Sequence, residues 1–217
     1  MRSTSRPFLA IIISAFISSC ASIYVPNAVN TPMLEQKGQT NIVGTIGGSS
    51  FDGQVSHALT ENLGLMANAN LSYSPLGLSA TGFAETGLGY YQKNYDVFYG
   101  LGYGYNGSSK IKFDGEYHSI SISEEYIRPF IQVDSWWGDN TGKIGASARM
   151  VWVKFFNHNP IFKNNNSLFF EPALTCKAGN KNLKFFCQGG LSLNMIKNND
   201  VLNIPIWLVI GLELSFY

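Results

Sequence analysis

The sequence predicts an all-β fold: an antiparallel, up-and-down transmembrane β-barrel of about ten strands (8–12) with a polar, packed interior. Three observations predict it. Charged residues make up only 13% of the chain, about half the ~25% usual for soluble domains. After residue 39, turn-forming residues recur roughly every 8 to 16 positions, and the stretches between them alternate with period two. No later apolar run approaches the ~18 residues that a membrane helix needs.

The first element reads as an export signal, residues 1–19. Arg2 and Arg6 form a basic start, and "FLAIIISAFIS" (Phe8 to Ser18) is an apolar core of 11 residues, too short to cross a bilayer as a helix. "ISSC" (Ile17 to Cys20) follows and is similar to a bacterial lipobox, which marks Cys20 as the expected lipidation site. Removing residues 1–19 takes away two arginines and no acids, so the formal charge falls from +1 to −1. With no basic cluster either, nothing favours nucleic acid as a partner. Residues 20–39, with Pro26 and Pro32, read as an N-terminal linker.

Residues 40–217 read as the barrel. Its strands are expected at 40–48, 51–59, 63–74, 80–92, 95–107, 124–136, 142–155, 167–178, 182–195 and 202–217. An even count returns both ends of the ring to one side, expected to be periplasmic in an outer membrane. Connections at Thr60 to Asn62, Lys93-Asn94, Gly138 to Gly142 and Asn180-Lys181 are short and polar, as inner turns should be. Most connections at the other end are longer, 108–123 and 157–167 above all, although Ser49-Ser50 is short.

Side-chain parity supports the same count. One face of the fourth strand carries Gly82, Ala84, Thr86, Leu88 and Tyr90; one face of the fifth carries Val97, Tyr99, Leu101, Tyr103 and Tyr105. The last strand presents Ile206, Leu208, Ile210, Leu212, Leu214 and Phe216 outward, with Trp207, Val209, Gly211, Glu213 and Ser215 inward. Two aromatic belts are expected at the bilayer interfaces: Tyr90, Tyr95, Trp136, Trp137 and Phe216 in one, Tyr73, Tyr105, Trp152 and Phe170 in the other.

The inward phase collects charges that lipid would reject. Glu85, Arg128, Gln132, Arg149, Glu171 and Glu213 are expected to form an interior polar network, joined by Asp52, Gln54, Asn68, Asn70, Asp134, Lys177, Lys184 and Gln188. With a turn at Lys93-Asn94, Glu85 falls opposite Gly102 and Phe83 opposite Gly104. Gly100, Gly102 and Gly104 would then be a floor across which Glu85 and Arg128 meet. Cys176 and Cys187 share the outward phase on adjacent strands; a disulfide and two free thiols are both open readings. Asp114-Gly115 within an alternating stretch predicts that the fifth and sixth strands project as a ribbon, with a bulge between Ser123 and Tyr126 where the apolar parity slips.

Catalytic signatures are missing. His57 falls in the outward phase, His118 and His158 in outer connections, and Ser56 and His57 face opposite ways. No catalytic residue, metal ligand or cofactor site is assigned.

The stretches "SSCASIYVPNAVNTPMLEQKGQ", "VSHALTENLGLMAN", "FAETGLGYY", "YIRPFIQ" and "EPALTCKAG" give the chain a family resemblance. It is similar to small outer-membrane β-barrel proteins, and more closely resembles uncharacterised barrel lipoproteins of Bacteroidota-type Gram-negative bacteria. The resemblance implies an outer-membrane address, outer-membrane lipid and the barrel assembly machinery as partners, and no agreed activity. Such barrels end on an outward aromatic; here that residue is Phe216, with Tyr217 one beyond it.

The expected function is a lipid-modified outer-membrane barrel with a structural or surface-interaction role. A second reading is a periplasmic, lipocalin-like lipoprotein whose Leu208, Ile210 and Leu212 line a cavity for a small apolar ligand. A third is a barrel enzyme acting on lipid or peptide. Parity separates the first two.

Overall fold

A computed structural model describes residues 24, 26–47, 50–73, 79–113, 117–139, 141–156, 166–196 and 206–217, with backbone alone at 73, 79–80, 108–113 and 117–123. The export signal, Cys20, Asp114-Gly115 and His158 lie outside these residues, as does the side chain of His118.

Alternation becomes eleven strand segments: β1 (Thr40–Gly47), β2 (Ser50–Ala58), β3 (Leu63–Tyr73), β4 (Ser79–Gln92), β5 (Tyr95–Phe113), β6 (Tyr117–Gly138), β7 (Gly142–Phe155), β8 (Asn166–Gly179), β9 (Leu183–Leu191), β10 (Leu193–Asn194) and β11 (Ile206–Phe216). β9 and β10 are one strand interrupted at Ser192, since both pair with β8 in a single register, Ala173↔Gly190 and Phe170↔Leu193. The wall therefore has ten strands, each antiparallel to its neighbours. β1 closes the ring on β11, Thr40↔Phe216 through Ile46↔Ile210. Around the ring the registers accumulate a stagger of about twelve residues, which sets the strand tilt that closure requires.

The turns follow from their residues. Asn94 has φ +75°, a left-handed conformation that asparagine tolerates, and closes the Lys93-Asn94 turn. Asp139 Oδ1 accepts from the Thr141 hydroxyl and from the Thr141 and Gly142 amides. Those bonds, the hydroxyl's first, hold its carboxyl below the usual range. Asn180 accepts from Asn182 and Leu183 in the same way. This last turn sets Cys176 directly opposite Cys187, and both thiols are free.

The two faces of the wall separate as parity predicts. Tyr99, Leu101, Tyr103 and Tyr105 point out from β5; Leu208, Ile210 and Leu212 are 46–56% exposed on β11. The cavity-lining arrangement of those three side chains is therefore not the one adopted. Glu85, Arg128, Gln132, Arg149, Glu171 and Glu213 all point in and are buried.

Three expectations need correction. Trp136 does not belong to an outer belt: it is buried, because its neighbour Trp137 takes the outward position and adjacent strand residues must face opposite ways. There is no bulge at Ser123 to Tyr126: β5 and β6 pair in one unbroken register from Tyr95↔Ser135 to Phe113↔Tyr117. Pairing with β4 stops at Ser79↔Ser108 and with β7 at Tyr126↔Phe155. Beyond those pairs no described residue flanks the ribbon, so among the described residues no neighbouring strand holds its apolar residues in phase. Third, residues 26–34 have no strand, as expected of a linker, yet they are buried within the barrel rather than lying outside it. A ten-strand ring is wider than the eight-strand ring that side chains alone can fill, and a single extended segment takes up the difference.

Candidate functional site

Among the described residues, charged side chains converge in the lumen. Its centre is built by four strands: Glu85 from β4, Arg128 from β6, Arg149 from β7 and Glu171 from β8, every side chain fully buried. Arg149 Nη1 lies 3.0 Å from Glu85 Oε1 and its Nη2 2.7 Å from Glu171 Oε2. Arg128 Nε lies 3.4 Å from Glu85 Oε2. Two cations and two anions balance, so this central cluster carries no net charge of its own. Asn68 donates to Glu85 Oε1 at 2.8 Å, and Ser192, at the break between β9 and β10, donates to Glu171 Oε1 at 3.2 Å.

Glycines make the room. Glu85 and Arg128 both pair with Gly102, on either side of β5. A Cβ at Gly102 would sit 2.7 Å from Arg128 Cγ and 2.9 Å from Glu85 Cβ. At Gly100 it would meet the Phe130 ring at 2.5 Å, and at Gly104 the Tyr126 ring at 2.3 Å. The β6 side chains thus lie back across the bare face of β5, and Arg128 also stacks over Phe83, 4.4 Å from the ring centroid.

Gln132 and Glu213 belong to other parts of the lumen. Gln132 donates to the Asn30 carbonyl at 2.6 Å and to Asp134 at 2.7 Å. Glu213 pairs with Lys177 and lies 3.5 Å from Lys184 Nζ.

The residues that join these groups are those of the threaded segment. The Tyr24 hydroxyl donates to Glu171 Oε1 at 2.8 Å, and its ring stacks on Phe169 with centroids 4.3 Å apart. Asn27 Oδ1 accepts from both Arg128 (3.2 Å) and Arg149 (2.6 Å). Gln188 clasps Val29, accepting from its amide at 2.7 Å and donating to its carbonyl at 2.8 Å. The Ala28 carbonyl accepts from Gln54, the Asn30 side chain donates to Asn68, and the Thr31 carbonyl accepts from Lys177. Near the exit, a Cβ on Gly64 would touch Leu34 and one on Gly145 would touch Met33. Residues 26–34 belong to no strand; wall side chains meet much of their backbone hydrogen-bonding demand instead.

None of these thread residues was legible as a site. The one available signal was compositional: "PNAVNTP" carries amides and no charge between two prolines, which suits a polar interior as well as a linker.

The site has the form of a packed plug with a charge-balanced centre. Among the described residues, no group of three or more His, Cys, Asp or Glu is placed to hold a metal ion. Ser56 is buried inward while the His57 ring sits outward, 2.8 Å from Thr40 Oγ1, so the two do not act together.

By its own strand pairing the chain is an all-β protein of the closed ten-stranded antiparallel barrel class. Similar solved structures include the N-terminal β-barrel domain of Pseudomonas aeruginosa OprF, at 7% identity and TM-score 0.37, covering 84% of this chain and 100% of that one. The translocator domain of the autotransporter NalP from Neisseria meningitidis matches at 11% identity and TM-score 0.43, covering 82% and 86%. A loop-deletion mutant of OmpT, an outer membrane protein of Vibrio cholerae, matches at 8% identity and TM-score 0.22, covering 82% and 97%. No family model and no curated protein matches the chain.

Proposed function

We propose that this is a lipid-modified outer-membrane β-barrel with a plugged lumen, serving a structural or surface-interaction role without catalysis. One observation carries the reading: the wall is inside out relative to a soluble protein. Ile206, Leu208, Leu212, Ile144 and Leu174 are more than half exposed, while Arg128, Arg149, Glu85 and Glu171 are buried at its centre. Apolar exposure continuous around a closed ring is stable only where lipid covers it.

The plug supports the structural role. A conducting pore needs a water-filled interior, whereas this lumen is occupied by residues 26–34 and by a buried, charge-balanced cluster of Glu85, Arg128, Arg149 and Glu171. Cys20, at the end of its lipobox-like sequence, carries the acyl anchor in this reading. Lipid and the barrel assembly machinery are the expected partners, Phe216 being the outward aromatic at the final strand's end.

Carbonate extraction combined with heat-modifiable gel migration tests the embedded barrel. Retention in the membrane and a heat-dependent shift are expected; release by carbonate with no shift overturns it. For the anchor, Cys20→Ala should abolish acyl labelling, and retained label overturns that assignment.

A further inference from the structure

The direction of the thread fixes where the anchor of the mature chain sits. The barrel has two dissimilar ends. At one, the wall turns within 59–62, 93–94, 139–141 and 180–182. Thr40 and Phe216 pair at this end, so the ring both begins and finishes there. At the other lie the longer connections 74–78, 156–165 and 195–205 and the β5–β6 ribbon. In outer-membrane barrels short turns face the periplasm and long connections the exterior.

Residues upstream of β1 do not stay at the short-turn end. The Gly38 amide bonds to Ala58 there. Leu34 packs beside Gly64, Met33 beside Gly145, Asn27 beneath the central arginines, and Tyr24 against Phe169 and Tyr126. Tyr126↔Phe155 is the last pair of the β6–β7 ladder, and Phe169 lies three residues into β8 from the long-connection end. Tyr24 has therefore crossed most of the lumen.

Length decides the rest. From Cys20 to Tyr24 the chain spans at most ~14 Å. Between the levels of Phe169 and Gly179 on β8, an ordinary strand rise and tilt give ~25 Å along the barrel axis. With the thread seated, residue 20 cannot reach the short-turn leaflet.

We propose that the mature N-terminus emerges at the long-connection end, and that an acyl chain on Cys20 enters the outer leaflet from the cell exterior. The chain's two ends then lie on opposite faces of the membrane. This replaces the expectation that both are periplasmic, and it rests on the outer-membrane reading above.

The test uses the full chain in cells, with Cys176→Ser and Cys187→Ser removing the wall thiols. In that background, Ser22→Cys reports the thread's start and Thr60→Cys the short-turn end. A membrane-impermeant maleimide should modify Ser22→Cys equally in intact and permeabilised cells, and Thr60→Cys only after permeabilisation. Protection of Ser22→Cys in intact cells overturns the proposal. If Thr60→Cys is labelled in intact cells, the orientation is inverted and the proposal also fails. The parent, whose only thiol is Cys20, separates the two readings: its labelling sinks the lipid anchor while still revealing on which side residue 20 lies. A second variant, Val29→Cys with Gln188→Cys, should be cross-linked by a short bifunctional maleimide, which spans the reach of the replaced glutamine side chain; failure to do so removes the thread from the lumen and overturns the proposal independently of sidedness.

Discussion

Two walls of the barrel treat the interior in opposite ways. β5 contributes glycine at 100, 102 and 104 and so gives the lumen space. β8 and β9 contribute Glu171, Thr175, Lys177 and Gln188 and so give it hydrogen bonds. The space at β5 is not left open: Phe130, Arg128 and Tyr126 from β6 fold across it. What the difference teaches is that the interior is packed laterally. Bulk crosses the β5 floor from β6, the clasp on Val29 and the lysine on the Thr31 carbonyl come from β8 and β9, and other strands add Gln54, Asn68, Gln132 and the two arginines of the charged cluster.

The comparison breaks most readily at that charged cluster. Arg149→Leu leaves Glu85 and Glu171 with only Arg128 to balance them, and should cost about 3–5 kcal/mol. The expected readout is loss of the folded, heat-modifiable form at moderate urea; an unchanged urea midpoint would show that the cluster holds nothing together. Next is Gly102→Leu, which forces Arg128 and Glu85 apart and should cost about 1–3 kcal/mol by overpacking. If its midpoint matches that of the parent, β5 is not a floor. On the opposite wall, Gln188→Ala strips both partners from the Val29 backbone. It should cost about 1–2 kcal/mol and speed hydrogen exchange at the Val29 amide; exchange at the parental rate would mean the clasp is ornamental. Smallest is Gly53→Ala on the outward face of β2, where a new Cβ meets nothing within 4 Å. A change within about ±0.5 kcal/mol is expected. A large loss there would mean that inward and outward glycines do not differ as described.

Much of the wall could be read before any coordinates, because period-two alternation is a local property. The Lys93-Asn94 turn alone placed Glu85 opposite Gly102 and Phe83 opposite Gly104, as found. Local patterns also fail in recognisable places. Clustering of aromatics near strand ends put Trp136 and Trp137 in one belt, although alternation itself keeps two adjacent residues from sharing a face. Alternation demanded a bulge at Ser123 to Tyr126 because it carried one inward phase along the whole ribbon, whereas the described flanking pairs end at Ser79↔Ser108 and Tyr126↔Phe155. The thread was illegible for a deeper reason. Residues 26–34 have no period, and their partners lie far away in sequence: Val29 binds Gln188, Asn27 binds Arg149, the Thr31 carbonyl binds Lys177. No short window contains both halves of any of these interactions. Beside the uncharged, amide-bearing composition of "PNAVNTP", the width of a ten-strand ring hinted that something further must fill it.

The thread also has a place in time. It precedes β1, whereas the ring is sealed by β11, the last strand made. Its polar groups are therefore available throughout synthesis, before any wall exists to enclose them. A filler arriving after closure would have to dehydrate inside a finished tube. Here the seam between β1 and β11 can close around an occupant already in hand, so sealing the ring and drying its interior become a single event.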